Sequence, residues 1–235
     1  MPKVSVITTL YNYREYIGDC IQSFLDQKFE DAEMIIVDDA STDNPYEVIK
    51  KYTDKRVKYI PLKKNGNYSH AKNVGIKASD SDVLVMLDAD DMLTINGIIV
   101  RYNKLMKGYD FVHGPCFNFK KGKPLVRNRI WDDWVKHKTY KYVHAQGVML
   151  KKDIHRKVGL YDENLWCKSD RELFARVFHH GYKIGVVEEE VSFYRRHAKQ
   201  MHCSKEKAKI NDKLQKNILK MIEKRRTNLE GLELL

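Results

Sequence analysis

The 235-residue sequence predicts an α/β fold, a mostly parallel sheet flanked by helices. Three observations predict it. Strand-like and helix-like segments alternate through the first hundred residues. The strand-like runs are apolar at nearly every position, as in strands covered on both faces. Three of these runs end in polar or acidic residues, at the edge where open α/β sheets bind their ligands.

The elements follow in order. The run VSVITTL ending at Leu10 is β-branched and too apolar for one face to meet water. Glu15 to Lys28 carries Tyr16, Ile17, Cys20, Ile21, Phe24 and Leu25 at helical spacing. Met34 to Val37 is a second strand, closed by Asp38-Asp39 and the turn- and cap-rich run from Ser41 to Pro45. A short helix with Tyr46 and Ile49 precedes a third strand, Val57 to Ile60. Asn65-Gly66-Asn67 is a turn, Ser69 to Ala78 a helix, and Asp82 to Leu87 a fourth strand that runs into Asp88. Repeated βα units imply parallel pairing with right-handed crossovers.

The second half is less regular. Phe111 to Phe119 and Tyr142 to Leu150 read as strands, and the basic, aromatic stretch Lys120 to Lys141, with Trp131 and Trp134, as loop. Arg171 to His180 reads as a helix, and Lys183 to Val187 and Val191 to Arg195 as strands. Ser204 to Arg226 predicts a lysine-rich helix with an apolar stripe through Ile210, Leu214, Ile218 and Met221.

Composition bounds the function classes. Hydrophobic residues are 43% of the chain, enough to build a core and exclude global disorder. No run approaches the roughly 18 apolar residues of a membrane span. Cys20, Cys116, Cys167 and Cys203 form no CxxC pair, so neither a disulfide framework nor a zinc knuckle is expected. With no secretory pattern at the N-terminus, the expectation is a cytoplasmic protein, with the inner face of a membrane as a peripheral site. The net charge of +11 suits a polyanion, whether nucleic acid, anionic membrane or acidic polymer, and equally suits solubility.

The chemistry collects at three strand ends: Thr8-Thr9-Leu10-Tyr11-Asn12, Asp38-Asp39-Ala40-Ser41 and Asp88-Ala89-Asp90-Asp91. Carboxylates converging on one edge repel unless a cation sits among them. Oxygen-rich ligands favour Mg²⁺ or Mn²⁺.

The blocks VSVITTLYNYREYIGDCIQSFLDQ, IIVDDASTD, NYSHAKNVGIKAS and VLVMLDADD, in this order, resemble family 2 glycosyltransferases of the GT-A fold. GVMLKKDIHRKVGLYDENLWCKSDRELFARV resembles the family's acceptor-side segment and YRRHAKQMH its closing segment, so the resemblance covers about residues 3 to 202. It implies an inverting, metal-dependent transfer from a nucleotide-sugar, usually a UDP-sugar. The domain would span 1–203, with a nucleotide-sugar half at about 1–110 and an acceptor half at about 111–203, followed by a basic helical extension, 204–235.

The resemblance also implies roles. Asp39 would bind the base, with Thr9 and Tyr11 lining its pocket; otherwise Asp39 caps the turn through Ser41. Asp88, Ala89 and Asp90 would form the DxD motif, with Asp90 on the metal and Asp88 on the ribose or a metal-bound water. Lys72, where the family usually has arginine, would contact the diphosphate without arginine's bidentate fork; an exposed helix lysine is the alternative. Asp170 would be the general base or, structurally, an N-cap. His197 would reach the metal or diphosphate, with His202 as substitute, and Arg195 and Arg196 could neutralise phosphate. The acceptor would be a glycan or lipid-linked glycan. Alternatives are a transferase acting on modified nucleic acid, a nucleotidyltransferase and a catalytically dead sugar-binding module. Oligomeric state is left open.

Overall fold

The computed structural model describes residues 1–128, 136, 143–165 and 168–200. The expected basic helix from Ser204, the extension 204–235, His202, Trp131, Trp134, Trp166 and most of the basic loop lie outside the described residues.

A seven-stranded sheet forms the centre, in the order β10-β6-β9-β4-β1-β2-β3. Its first four strands are β1 (Val4–Leu10), β2 (Ala32–Asp38), β3 (Val57–Pro61) and β4 (Val83–Asp88), all parallel to their neighbours among these four. Helices α1 (Arg14–Leu25), α2 (Tyr46–Ile49) and α3 (Tyr68–Ala78) make the crossovers. All seven residues of β1 and of β2 are buried, as expected for strands covered on both faces. Alternate side chains feed two layers. Val4 and Val6 pack with Ile17, Cys20, Ile21 and Phe24 of α1, and Ile7 packs with Ala71 and Ile76 of α3 on the opposite face. Fully burying an aliphatic side chain of this kind contributes roughly 1.5–3 kcal/mol. Gly75 lets α3 approach: a Cβ there would come within 2.4 Å of Ile7 Cγ2.

Beyond β4 come β5 (Met92–Leu93), α4 (Gly97–Leu105), β6 (Phe111–His113), β7 (Cys116–Phe119), β8 (Val126–Arg127), a 3-10 turn at Ala145–Gly147, and β9 (Val148–Lys151). Helices α5 (Ile154–Val158) and α6 (Ser169–His179) and strands β10 (Ile184–Val186) and β11 (Ser192–Arg195) complete the described chain. Strand β9 inserts antiparallel between β4 and β6, and β5, β11, β7 and β8 form a second, four-stranded sheet.

Three expectations change here. The single strand Phe111 to Phe119 is two strands in different sheets, broken at Gly114-Pro115, where proline has no N–H for a ladder. There the chain packs backbone to backbone against Gly147, whose Cβ would lie 2.4 Å from the Gly114 carbonyl oxygen. The strand expected from Tyr142 begins only at Val148, because Ala145–Gly147 turn first. Helix α5 was not anticipated; its five residues are too few to show a helical period.

The amino edge of the large sheet is closed by a buried polar network. Ser5 Oγ donates to Glu33 Oε1, Ser79 and Ser81 hydroxyls donate to Ser5 Oγ, and Lys58 pairs with Glu33 at 2.7 Å.

Candidate active site

The three strand ends do meet. The carboxyl edge of the sheet opens into a cavity of about 670 Å³, lined by Thr9, Tyr11, Asp39, Asp88, Asp90 and Asp170 among others. Of the five non-glycine residues with positive φ among the described residues, Asn12, Asn67 and Lys168 line this cavity and Ala40 follows Asp39. Such conformations are costly for L-residues and concentrate where geometry is held for function.

At the β2 end, adjacent aspartates divide their work. Asp38 Oδ1 accepts from Ser41 N–H, so the turn cap falls to Asp38 and not to Asp39. Asp39 instead accepts from the backbone N–H groups of Gly66 and Asn67, at 2.7 and 3.0 Å. This ties the β2 end to the loop entering α3. Burial still raises the Asp39 carboxyl above its ordinary range, against the pull of those two donors. Tyr11, 46% exposed, presents its ring at the same end.

At the β4 end, Asp88 is held from several sides. Thr9 Oγ1 donates to Oδ1 at 3.3 Å, and Gln146 Nε2 donates to Oδ2 while Gln146 Oε1 accepts from Asp88 N–H. This two-point clamp comes from the 3-10 turn and was missed in the sequence. The available signal was a polar residue placed between Ala145 and Gly147, directly before the apolar run VMLK. Ala89 is buried, and its N–H donates to the Thr9 carbonyl.

Asp88, Asp90 and Asp91 bring ligand oxygens within 4.8 Å of one another. Burial and the neighbouring Asp88 carboxylate raise Asp90, with His197 pulling the other way, and burial with Asp90 and Asp88 raises Asp91 strongly. His197 Nε2 lies 2.9 Å from Asp90 Oδ2, and its ring packs on Tyr16 at 4.4 Å. Clustered carboxylates of this kind are a donor set that fits Mn²⁺ or Mg²⁺, and Asp88, Asp90 and Asp91 are the residues that could hold such an ion. Arg195 serves the scaffold: its N–H donates to Asp91 Oδ1, Nε to the Asp90 carbonyl, and Nη2 to Asp19. Neither Arg195 nor Arg196 lines the cavity.

Lys72 departs furthest from expectation. It is 0% exposed, so the exposed-lysine alternative fails, and it sits behind the cavity wall. Asp170 is half-buried in the first turn of α6 and lines the cavity across from the strand ends. The N-cap position belongs to Lys168, so Asp170 is not the cap. Burial raises the Asp170 carboxyl, with the Lys72 ammonium and the Arg171 N–H as opposing influences. A raised carboxylate with access to the cavity can accept a proton.

A largely parallel sheet with one antiparallel insert, and an acidic site beyond its carboxyl edge, defines the GT-A type of glycosyltransferase domain. The chain belongs to glycosyl transferase family 2, whose profile matches residues 5–159. It is 34% identical over 128 residues to the teichoic acid poly(glycerol phosphate) polymerase of Staphylococcus epidermidis, covering 53% of this chain and 18% of that protein. Its fold is similar to that of the 1–349 fragment of S. aureus TarS in complex with UDP-GlcNAc, with a TM-score of 0.71 at 18% identity, covering 84% and 60% of the two chains. It is also similar to the mannosyltransferase PcManGT of Pyrobaculum calidifontis in complex with GDP-Man and Mn²⁺, with a TM-score of 0.70 at 16% identity, covering 84% and 58%. The chain thus spans 18% of that curated relative and about 60% of each solved chain. Among the described residues, no helix is long and apolar enough to cross a membrane.

Proposed function

We propose that this chain transfers a sugar from a UDP-sugar to an acceptor hydroxyl in one inverting displacement, with Asp170 as general base. The observation that carries the reading is a single cavity lined by Asp39, by Asp88 and Asp90, and by Asp170. Asp39 accepts a hydrogen bond from the base of the nucleotide, using lone pairs beyond those its two backbone donors occupy, and Tyr11 stacks on the ring. Asp88, fixed by Gln146 and Thr9, accepts from the ribose. Asp90, with His197 beside it, would hold a divalent cation, which would supply positive charge against the departing diphosphate. Asp170 takes the proton of the acceptor hydroxyl as that oxygen bonds to the anomeric carbon and the bond to the diphosphate breaks, releasing UDP. The acceptor in this reading is a glycan or lipid-linked glycan.

The test is a thermal-shift screen of UDP- and GDP-sugars with Mn²⁺, followed by an assay of UDP release with glycan, lipid-linked glycan and DNA acceptors. A UDP-sugar should raise the melting temperature, and chelation should abolish both the shift and the release. Absence of any UDP-sugar shift in the presence of Mn²⁺ would overturn the donor assignment.

A further inference from the structure

The wall that carries Asp170 also carries charge of the opposite sign. Lys168, Asp170 and Arg171, from the N-cap and first turn of α6, all line the cavity. The positive end of a helix dipole favours acids in the first turn and disfavours cations. Lys168 stands there nonetheless, in a left-handed backbone conformation with φ of 58°, and its side chain does not cap the helix. Arg171 is exposed. Glu172, the next residue, pairs with Arg176 at 2.6 Å, and Arg171 makes no ion pair among the described residues. Lys199, the third cation in the cavity wall, is held by Glu15 at 2.6 Å. Arg171 therefore keeps unmatched positive charge at the cavity, one residue from Asp170. A neutral acceptor hydroxyl would need no cation there.

We propose that Arg171 and Lys168 form an anion subsite for the acceptor, so that the molecule bringing the reacting hydroxyl to Asp170 also carries a phosphate or carboxylate close to it. The planar guanidinium of Arg171 matches either group with two parallel N–H donors, and Lys168 adds a point charge. Consecutive Cα atoms are about 3.8 Å apart, so Asp170 and Arg171 address one sugar unit or its immediate neighbour. Without these cations an acceptor anion would meet the carboxylates of Asp88, Asp90 and Asp170 with nothing to offset them. The subsite selects by difference: an anionic acceptor gains a charge-assisted pair that a neutral one lacks. The inference rests on the assignment of Asp170 as base.

The experiment fills the donor site with UDP and Mg²⁺ and titrates three probes by NMR chemical shift: methyl glucoside, methyl glucoside 6-phosphate and methyl glucuronide. At least one anionic probe should bind about 10- to 100-fold more tightly than the neutral one, the range for a hydrogen bond to a charged group. Comparing the two anions separates phosphate from carboxylate. Arg171→Gln should cut the preference to within about threefold of unity, and Arg171→Lys should restore part of it. Lys107→Gln removes the same charge from an exposed residue between α4 and β6, at the amino edge of the sheet, and should leave the preference whole. The Kd for UDP in Arg171→Gln, read by calorimetry, should stay within about threefold. Equal affinity for all three probes would overturn the proposal. So would a preference that survives Arg171→Gln, one lost equally in Lys107→Gln, or a UDP affinity that falls along with it, since the arginine would then serve the donor. If UDP itself does not bind, the donor reading fails, and the probe preference measured without UDP still decides the subsite. Full turnover in Asp170→Asn would instead remove the base, a distinct result.

Discussion

The two edges of the central sheet treat buried acids in opposite ways. At the amino edge, Glu33 is buried and matched: Ser5 donates to one oxygen and Lys58 pairs with the other. At the carboxyl edge, Asp88, Asp90 and Asp91 crowd together, and burial with mutual repulsion raises Asp90 and Asp91. One edge resolves its charges within the fold; the other keeps acidity that a cationic ligand can relieve. Acids alone therefore do not mark function. What marks it is an acid whose balancing charge the fold does not fully supply.

The largest expected break in this comparison is at Asp170. Asp170→Asn should lower kcat by about 10²- to 10⁴-fold, the range for loss of a general base, with UDP binding and melting temperature little changed. Burial raises this carboxyl, so the acid limb of the kcat profile should lie above the ordinary carboxylate range. The sign follows from the role: activity falls as pH falls, because the base becomes protonated. Next is Asp90→Ala, which should reduce turnover by about 10²- to 10³-fold and remove the dependence of UDP affinity on Mn²⁺ in calorimetry. Gln146→Ala leaves one Asp88 oxygen and its N–H without their partner, and should cost about 10- to 100-fold in kcat/KM. A change confined to stability there would reject the clamp.

The amino edge should respond in the other currency. Glu33→Ala removes the acceptor of the buried Ser5 hydroxyl and leaves Lys58 with Asp80 alone, and should lower unfolding stability by about 1–3 kcal/mol in urea titrations, with kcat per folded molecule unchanged. A further contrast concerns acid. Burial lowers His113 from 6.5 to about 3 and, as the main cause, lowers His144 to about 4. Between pH 6.5 and those values the unfolded chain binds protons that the folded chain refuses, so stability falls as pH falls, by up to about 1.4 kcal/mol per pH unit per histidine. His113→Asn, if it folds, should flatten that slope.

These edges also differ in how far they can be read from sequence. Asp39, Asp88 and Asp90 are legible because each stands one to three residues past a fully apolar run, and that spacing projects them over the sheet edge. The parallel strand pattern is legible for the same reason. Gln146 is not, because its partner Asp88 lies 58 residues away and only the insertion of β9 brings them together. The burial of Lys72 is equally hidden: a lysine on an amphipathic helix reads as solvated unless the carboxylate it faces is known. Ser5 and Glu33 sit within strands that read as apolar or polar by position, with nothing to announce a network. Local order is written in the run of residues, and long-range pairing of polar groups is written only in the topology.

Helix α3 has a mechanical consequence. At its start, Asn67 donates its backbone N–H to Asp39 and its side-chain amide to the Glu163 carbonyl. Nearly two turns on, Asn73 donates to the Tyr161 carbonyl and accepts from the Tyr161 N–H. The loop at the nucleotide end and the loop leading toward Asp170 are thus bolted to the same rod, and the rod is seated against β1 at Gly75. The two loops should therefore exchange amide hydrogens as one cooperative unit, and occupancy at one end should slow exchange at the other.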